Sequence, residues 1–180
     1  VLLHEIHNSH LLITSVSTDN SAVYKVIDTS KDFKNVFESK ELEGYIFDIA
    51  SNANTKRAAL LTVNEKTIYH LLNTETWSCD GQKWLPKHKG SITSLSFASD
   101  GEKIATFDSS GVLIISDINT NNCLSDINFA SQNRSNRARL NPHVSEIAVL
   151  FDLSRFDIVD LEKKTRLPKA LDLGSKCSWI

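Results

Sequence analysis

A chain of 180 residues with 41% apolar and 23% charged side chains is long enough for one ordinary hydrophobic core and has the composition of a soluble globular protein. Lys and Arg number 20 against 22 Asp and Glu, a formal charge of -2 that argues against a wholly basic nucleic-acid domain but leaves room for a local basic patch. No apolar run approaches the roughly 18 residues of a membrane span, and the opening VLLHEIHNSH lacks the basic segment and long apolar core of a secretory signal.

In chain order, short apolar runs rich in Ile, Val, Thr and Phe are divided by turn signals. Helices would instead need apolar residues at i, i+3 and i+4 over ten or more positions, roughly three turns. LLITSVS (11–17) and SAVYKVID (21–28) come first, with an outer strand expected at FKNVFES (33–39). GYIFDIA, RAALLTV and KTIYHLL follow at 44–50, 57–63 and 66–72. The clearest group is ITSLSFA (92–98), KIATFD (103–108) and VLIISD (112–117), divided by SDG and SSG, with NCLSDINF (122–129) as an outer strand. Asp-Gly tolerates the positive φ that a tight hairpin demands. RARLNP, EIAVLF and RFDIVD close the series at 137–142, 146–151 and 155–160.

Four of these runs end on Asp28, Asn73, Asp117 and Asp160, spaced 45, 44 and 43 residues apart. Propeller blades of four strands repeat at about 40–45 residues. The expected fold is therefore all-β: a β-propeller segment of about four blades, at residues 1–39, 40–86, 87–129 and 130–175, each of four antiparallel strands. The chain starts without Met and ends on SWI, and reads as part of a larger propeller. An ordinary sandwich whose strands share this spacing by chance is the alternative.

Residues 88–117, HKGSITSLSFASDGEKIATFDSSGVLIISD, resemble a WD repeat, and the period extends the resemblance over most of the chain. The resemblance implies a buried hydrogen-bonded chain of four side chains: a His before the first strand, a Ser or Thr on the second, an Asp in the second turn, and a Trp in the Trp-Asp pair that closes the third. His88 and Thr106 match, and Asp117 matches the closing Asp. Ser110 falls at the turn Asp and Ser116 at the Trp, so at most half of the chain is expected to survive. Ile27, Leu72 and Val159 are aliphatic at the Trp position, which points to apolar packing as the main support of the other blades.

Reactive motifs are absent from the sequence. His4, His7 and His10 fit neither HExxH nor a zinc-finger spacing and read as surface histidines. Cys79, Cys123 and Cys177 lie far apart without a CxxC, which favours a reducing, intracellular compartment, nuclear or cytoplasmic, and Cys123 reads as a small buried hydrophobe. No GxSxG, GxxxxGK[ST] or GxGxxG occurs, so neither an enzyme, a cofactor, a metal site nor a small-molecule substrate is expected. The sequon at Asn133 carries little without a secretory route. Trp77 and Trp84 read as packing residues beside an outer strand.

Recognition is expected instead at SQNRSNRAR (131–139), which places Arg134, Arg137 and Arg139 in or beside a loop where guanidinium groups can pair with carboxylates or phosphates. KKTRLPK (163–169) reads as a solvated outer turn. The WD-repeat resemblance implies a non-enzymatic protein-interaction scaffold within a larger assembly. Two alternatives remain: an RNA-contacting subunit of a ribonucleoprotein such as the ribosome-assembly machinery, resting on the arginines and the Lys-rich turn, and a regulatory propeller of a signalling ATPase.

Overall fold

The structure is a computed structural model that describes residues 3–6, 10–16, 21–63, 67–84, 88–129, 135–140, 146–151, 155–163, 165–166 and 171–172. Every described element is a β-strand, and the strands form four antiparallel sheets. Sheet one holds β1 (Leu3–Ile6), β2 (His10–Val16), β3 (Ser21–Asp28) and β4 (Lys34–Glu38) in that order, with β5 (Leu42–Glu43) also on β3. Sheet two is β6 (Tyr45–Asn52), β7 (Arg57–Val63), β8 (Thr67–Asn73) and β9 (Cys79–Trp84). Sheet three is β10 (Ile92–Phe97), β11 (Lys103–Asp108), β12 (Val112–Asp117) and β13 (Cys123–Asn128). Sheet four is β14 (Ser135–Leu140), β15 (Glu146–Phe151), β16 (Arg155–Asp160) and β17 (Thr165–Arg166), with β18 (Leu171–Asp172) also on β16. Each sheet is thus built from strands consecutive in the chain.

Side-chain period explains the elements. Along β3, Ala22, Tyr24, Val26 and Asp28 are buried and the residues between them are not, the alternation of a strand with one covered face. In β7, β8, β11 and β12 the middle residues are buried on both faces, which is why those runs are apolar nearly throughout.

The chain divides into two compact units, Val1–Pro86 and Lys87–Ile180. In the first, Leu12, Ala22, Tyr24 and Val26 of sheet one join Ile46, Ile49, Ala58, Leu60 and Leu72 of sheet two in one core. In the second, Ala105, Phe107, Leu113 and Ile115 of sheet three pack with Ala138, Leu140 and Val159 of sheet four. Asp28 pairs with His10 as Asp117 pairs with Lys103, so Leu12 corresponds to Ala105. Both units therefore bury the same face of their leading sheet. Each fully buried Leu, Ile or Phe contributes about 1.5–3 kcal/mol.

The residues that mark the sequence period share one role. Asp28 Oδ1 accepts the Ser30 N–H and hydroxyl, and Asn73 Oδ1 accepts the N–H groups of Glu75 and Thr76. Asp117 Oδ1 accepts Asn119 N–H, Thr120 N–H and the Thr120 hydroxyl, and Asp160 Oδ1 accepts Lys163 N–H. A short side-chain acceptor closes the turn after the third strand each time, which is what Asp and Asn do best.

Irregularities repeat as well. The first strand carries one extra residue at the same place in three sheets: Phe47, Thr93 and Asn136. The fourth strand does so in three, at Val36, Asp80 and Leu124. Sheet four begins at Ser135, two residues before the expected Arg137, so the polar run SNR belongs to the strand.

Two turns hold an aromatic residue at positive φ, with opposite consequences. Trp77 (φ 61) is buried, its ring 5.3 Å from His10 and its carbonyl accepting the Tyr24 hydroxyl at 2.9 Å. Phe33 (φ 58) follows Asp32 (φ 53) in a turn closed by Lys34 N–H to the Lys31 carbonyl, and its ring is 67% exposed. At that exposure the Phe33 ring gains little burial to set against its left-handed backbone. Phe33→Gly would place Asp-Gly at the two positive-φ positions, the favoured pair for such a turn, and is expected to raise stability by about 0.5–1 kcal/mol. A lowered thermal midpoint would contradict this.

Candidate functional site

The polar residues of the second unit converge on one carboxylate. β11 alternates so that Ile104, Thr106 and Asp108 share a face, and the register sets Thr106 opposite Ile114. His88, in the segment before β10, reaches that face: its Nε2 lies 2.7 Å from Thr106 Oγ1 and its Nδ1 3.0 Å from Asp108 Oδ2. A carboxylate only accepts, so His88 donates through Nδ1–H and the Thr106 hydroxyl donates to Nε2. Asp108 Oδ2 also accepts Gly90 N–H at 3.3 Å, while Oδ1 accepts Ser110 N–H, the Ser110 hydroxyl and Val112 N–H at 2.9, 2.7 and 2.9 Å. The His88 and Asp108 side chains are 3% and 0% exposed.

The electrostatics follow from burial. Burial is the largest influence on His88 and pushes its pKa below the ordinary value, and the Asp108 hydrogen bond and charge only partly restore it. Burial acts on Asp108 in the raising direction, but the Ser110 hydroxyl, Val112 N–H, His88 and Gly90 N–H together hold it below the usual carboxylate range. The pair is thus a neutral imidazole on an ionised carboxylate.

Hydroxyl, imidazole and carboxylate in line form the connectivity of an activated nucleophile. Thr106, however, is 1% exposed, and a sealed hydroxyl meets no substrate carbonyl. The arrangement instead ties the segment before β10 to the β11–β12 hairpin. The approach there is close: a Cβ on Gly90 would lie 2.6 Å from Ser109 Oγ and 2.9 Å from the Ser110 backbone nitrogen.

This corrects the sequence expectation in two places. The carboxylate of the buried chain is Asp108, not a residue at position 110, and His88 reaches both Thr106 and Asp108. Ser110 is a donor to that carboxylate. Asp117 stands apart and closes its own turn. The signal for Asp108 is its place two residues after Thr106, on the same strand face.

A second buried polar pair, not anticipated from sequence, lies in sheet two. Thr62 Oγ1 is 2.9 Å from His70 Nε2, His70 Nδ1 has no partner, and burial lowers the His70 pKa. Its only sequence signal is a His inside the apolar run TIYHLLN.

Two of the three arginines are described. Arg134 lies outside the described residues, as do His7, Asn133, Cys177 and residues 167–169. Arg137 and Arg139 sit on β14, Arg137 exposed and Arg139 half-buried with its Nη1 donating to the Leu95 carbonyl at 2.8 Å. Arg139 belongs to a seam between β10 and β14. Ser94 Oγ accepts Ala138 N–H at 2.9 Å and Ser96 Oγ accepts Leu140 N–H at 3.0 Å, each pair separated by 44 residues, one period. Serine hydroxyls satisfy edge N–H groups that β10 does not meet through its own backbone. Ser94→Ala would strand the Ala138 N–H in a buried place and is expected to cost about 1–3 kcal/mol. A urea midpoint unchanged from the parent chain would show the seam to be loose.

Cys79 and Cys123 are both free thiols and both open the fourth strand of their sheet. Among the described residues no group of three or more His, Cys, Asp or Glu could hold a metal ion. No protein-family model matches the chain, and no curated protein matches it in sequence.

Proposed function

We propose that the chain is a segment of a divergent WD-like β-propeller that acts as a non-enzymatic, intracellular protein-interaction scaffold within a larger assembly. The observation that carries this reading is the repetition itself. Sheets of consecutive antiparallel strands recur at 43 to 45 residues, with a side-chain acceptor closing the turn after each third strand, bulges at matching positions in three of the four sheets, and the same buried face in the two leading sheets. A repeat array of that kind presents many short connections on a rigid support, the usual basis of protein recognition by repeat folds.

The polar chemistry supports the same reading. The hydroxyl–imidazole–carboxylate chain is consumed within sheet three and its preceding segment, and Arg139 is committed to Leu95. That weakens the RNA reading, whose described remainder is the exposed Arg137 together with Lys163, which pairs with Asp160, and Arg166 of the Lys-rich turn. The free Cys79 and Cys123 fit a reducing compartment.

The test is crosslinking of the protein to its neighbours in cells and, in parallel without crosslinker, capture of the protein from lysate followed by nuclease treatment and washing across salt. Protein partners that survive nuclease and a rise from about 50 to 200 mM salt are expected. Partners released by nuclease, or binding that falls about 1000-fold or more over that salt range, would instead favour RNA.

A further inference from the structure

Large apolar side chains are exposed at two neighbouring positions of β6, Tyr45 at 42% and Phe47 at 39%. Ile46 and Asp48 between and after them are buried, so the alternation puts both rings on one side of the strand. Residues two apart on a strand are about 7 Å apart, close enough for one cationic head to lie against both rings. β6 is the terminal strand of its sheet.

Comparison between repeats shows that the fold does not require these rings. Strand pairing makes Ile46 the counterpart of Ile92, so Tyr45 corresponds to Ser91 and Phe47 to Thr93. Phe47 and Thr93 occupy the same bulge. Sheet three fills both positions with small polar residues, and Thr93 uses its hydroxyl locally, on the Phe107 carbonyl at 3.3 Å.

The chain leading into β6 supplies negative charge. Glu41 and Glu43 are exposed on either side of Leu42, which packs against the core. Gly44 (φ 86) then turns the chain directly into Tyr45. Lys40 is the single cation between Ser39 and Tyr45. Aromatic faces beside carboxylates attract guanidinium and ammonium groups and repel phosphate.

We propose that Tyr45 and Phe47, with Glu41 and Glu43, form a docking surface for a Lys- or Arg-bearing segment of a partner protein. This surface deepens the scaffold reading and rests on it. The cationic side chain lies over the rings with the carboxylates near its charge, while neighbouring apolar groups of the partner cover the ring edges.

The full chain is titrated with a blocked synthetic peptide of Arg, Ser and Leu, and with the same peptide carrying Glu for Arg, while backbone and aromatic NMR shifts are followed. Saturable shifts centred on residues 41–47 are expected with the Arg peptide alone. The double variant Tyr45→Ser/Phe47→Thr borrows the residues of sheet three, and should keep the parent melting temperature while binding about tenfold more weakly. Glu41→Gln/Glu43→Gln should keep the fold and lose most of the salt dependence. A lower melting temperature for the aromatic variant would make the rings structural and overturn the proposal. No saturable binding, equal binding of the Glu peptide, or shifts centred elsewhere would overturn it too. Shifts centred elsewhere leave the scaffold reading standing, whereas the absence of any crosslinked protein neighbour in cells defeats that reading directly.

Discussion

Asp108→Ala is expected to lower stability by about 3–5 kcal/mol, a large share of the about 5–15 kcal/mol that holds a typical domain. The substitution removes one buried carboxylate and with it the acceptor for His88 Nδ1–H, Gly90 N–H, Ser110 N–H and Val112 N–H. Each donor left dry costs about 1–3 kcal/mol, and water entering the space recovers part of the sum. Asp108→Asn keeps an acceptor for Ser110 and Val112 but sets an amide against Gly90, so about 1–3 kcal/mol is expected there. The cost of His88→Ala should shrink by about 1–3 kcal/mol once Asp108 is already Ala, since the two share a bond. Urea unfolding of the parent and the four variant chains measures all of this. A loss below about 1 kcal/mol for Asp108→Ala would mean that the carboxylate is not the hub of this corner.

Acid should destabilise the protein well before its carboxylates titrate. His88 and His70 are both buried, and burial lowers the pKa of each in the folded chain. Unfolded, each takes up a proton as the pH falls through about 6.5. The unfolded state therefore binds more protons below that point. The contribution of the two neutral histidines is complete above about pH 6.5 and is lost progressively below it, down to their depressed folded values. With both groups engaged the slope approaches about 2.7 kcal/mol per pH unit. Asp108, whose pKa is also lowered, adds its own loss only below about pH 4. Stability measured in urea between pH 8 and 5 gives the slope, and His70→Gln should reduce it by about half. A flat profile over that range would contradict the buried, neutral state of both imidazoles.

Hydrophobic pattern and turn chemistry make much of the fold legible. ITSLSF, KIATFD and VLIISD are strands of one antiparallel sheet, and the outer strand expected at FKNVFES is β4. The period is readable because Asp28, Asn73, Asp117 and Asp160 are required by local turn geometry, which sequence records directly. Register is not recorded that way. Whether Thr106 faces Ile114 or Ser116 depends on how the hairpin closes, so the WD-like match sets the buried carboxylate two residues too late. The start of β14 reads as loop because its polar run shows no alternation, and of its described side chains Ala138 and Leu140 reach the core. Its N–H groups are met by serines 44 residues away, a relation that no local window contains.

The extra residue in the fourth strands has a consequence for behaviour in concentrated solution. An outer strand with a free row of N–H and C=O groups is a template on which another chain can lengthen the sheet, the elementary step of fibre growth. Val36, Asp80 and Leu124 interrupt that row at the same step of β4, β9 and β13. An incoming strand that matches the backbone on one side of the bulge is out of phase on the other. Recruitment stalls after a few bonds, so sheets that bury apolar faces and carry apolar residues such as Val36 and Leu124 on their outer strands can stay separate at high protein concentration.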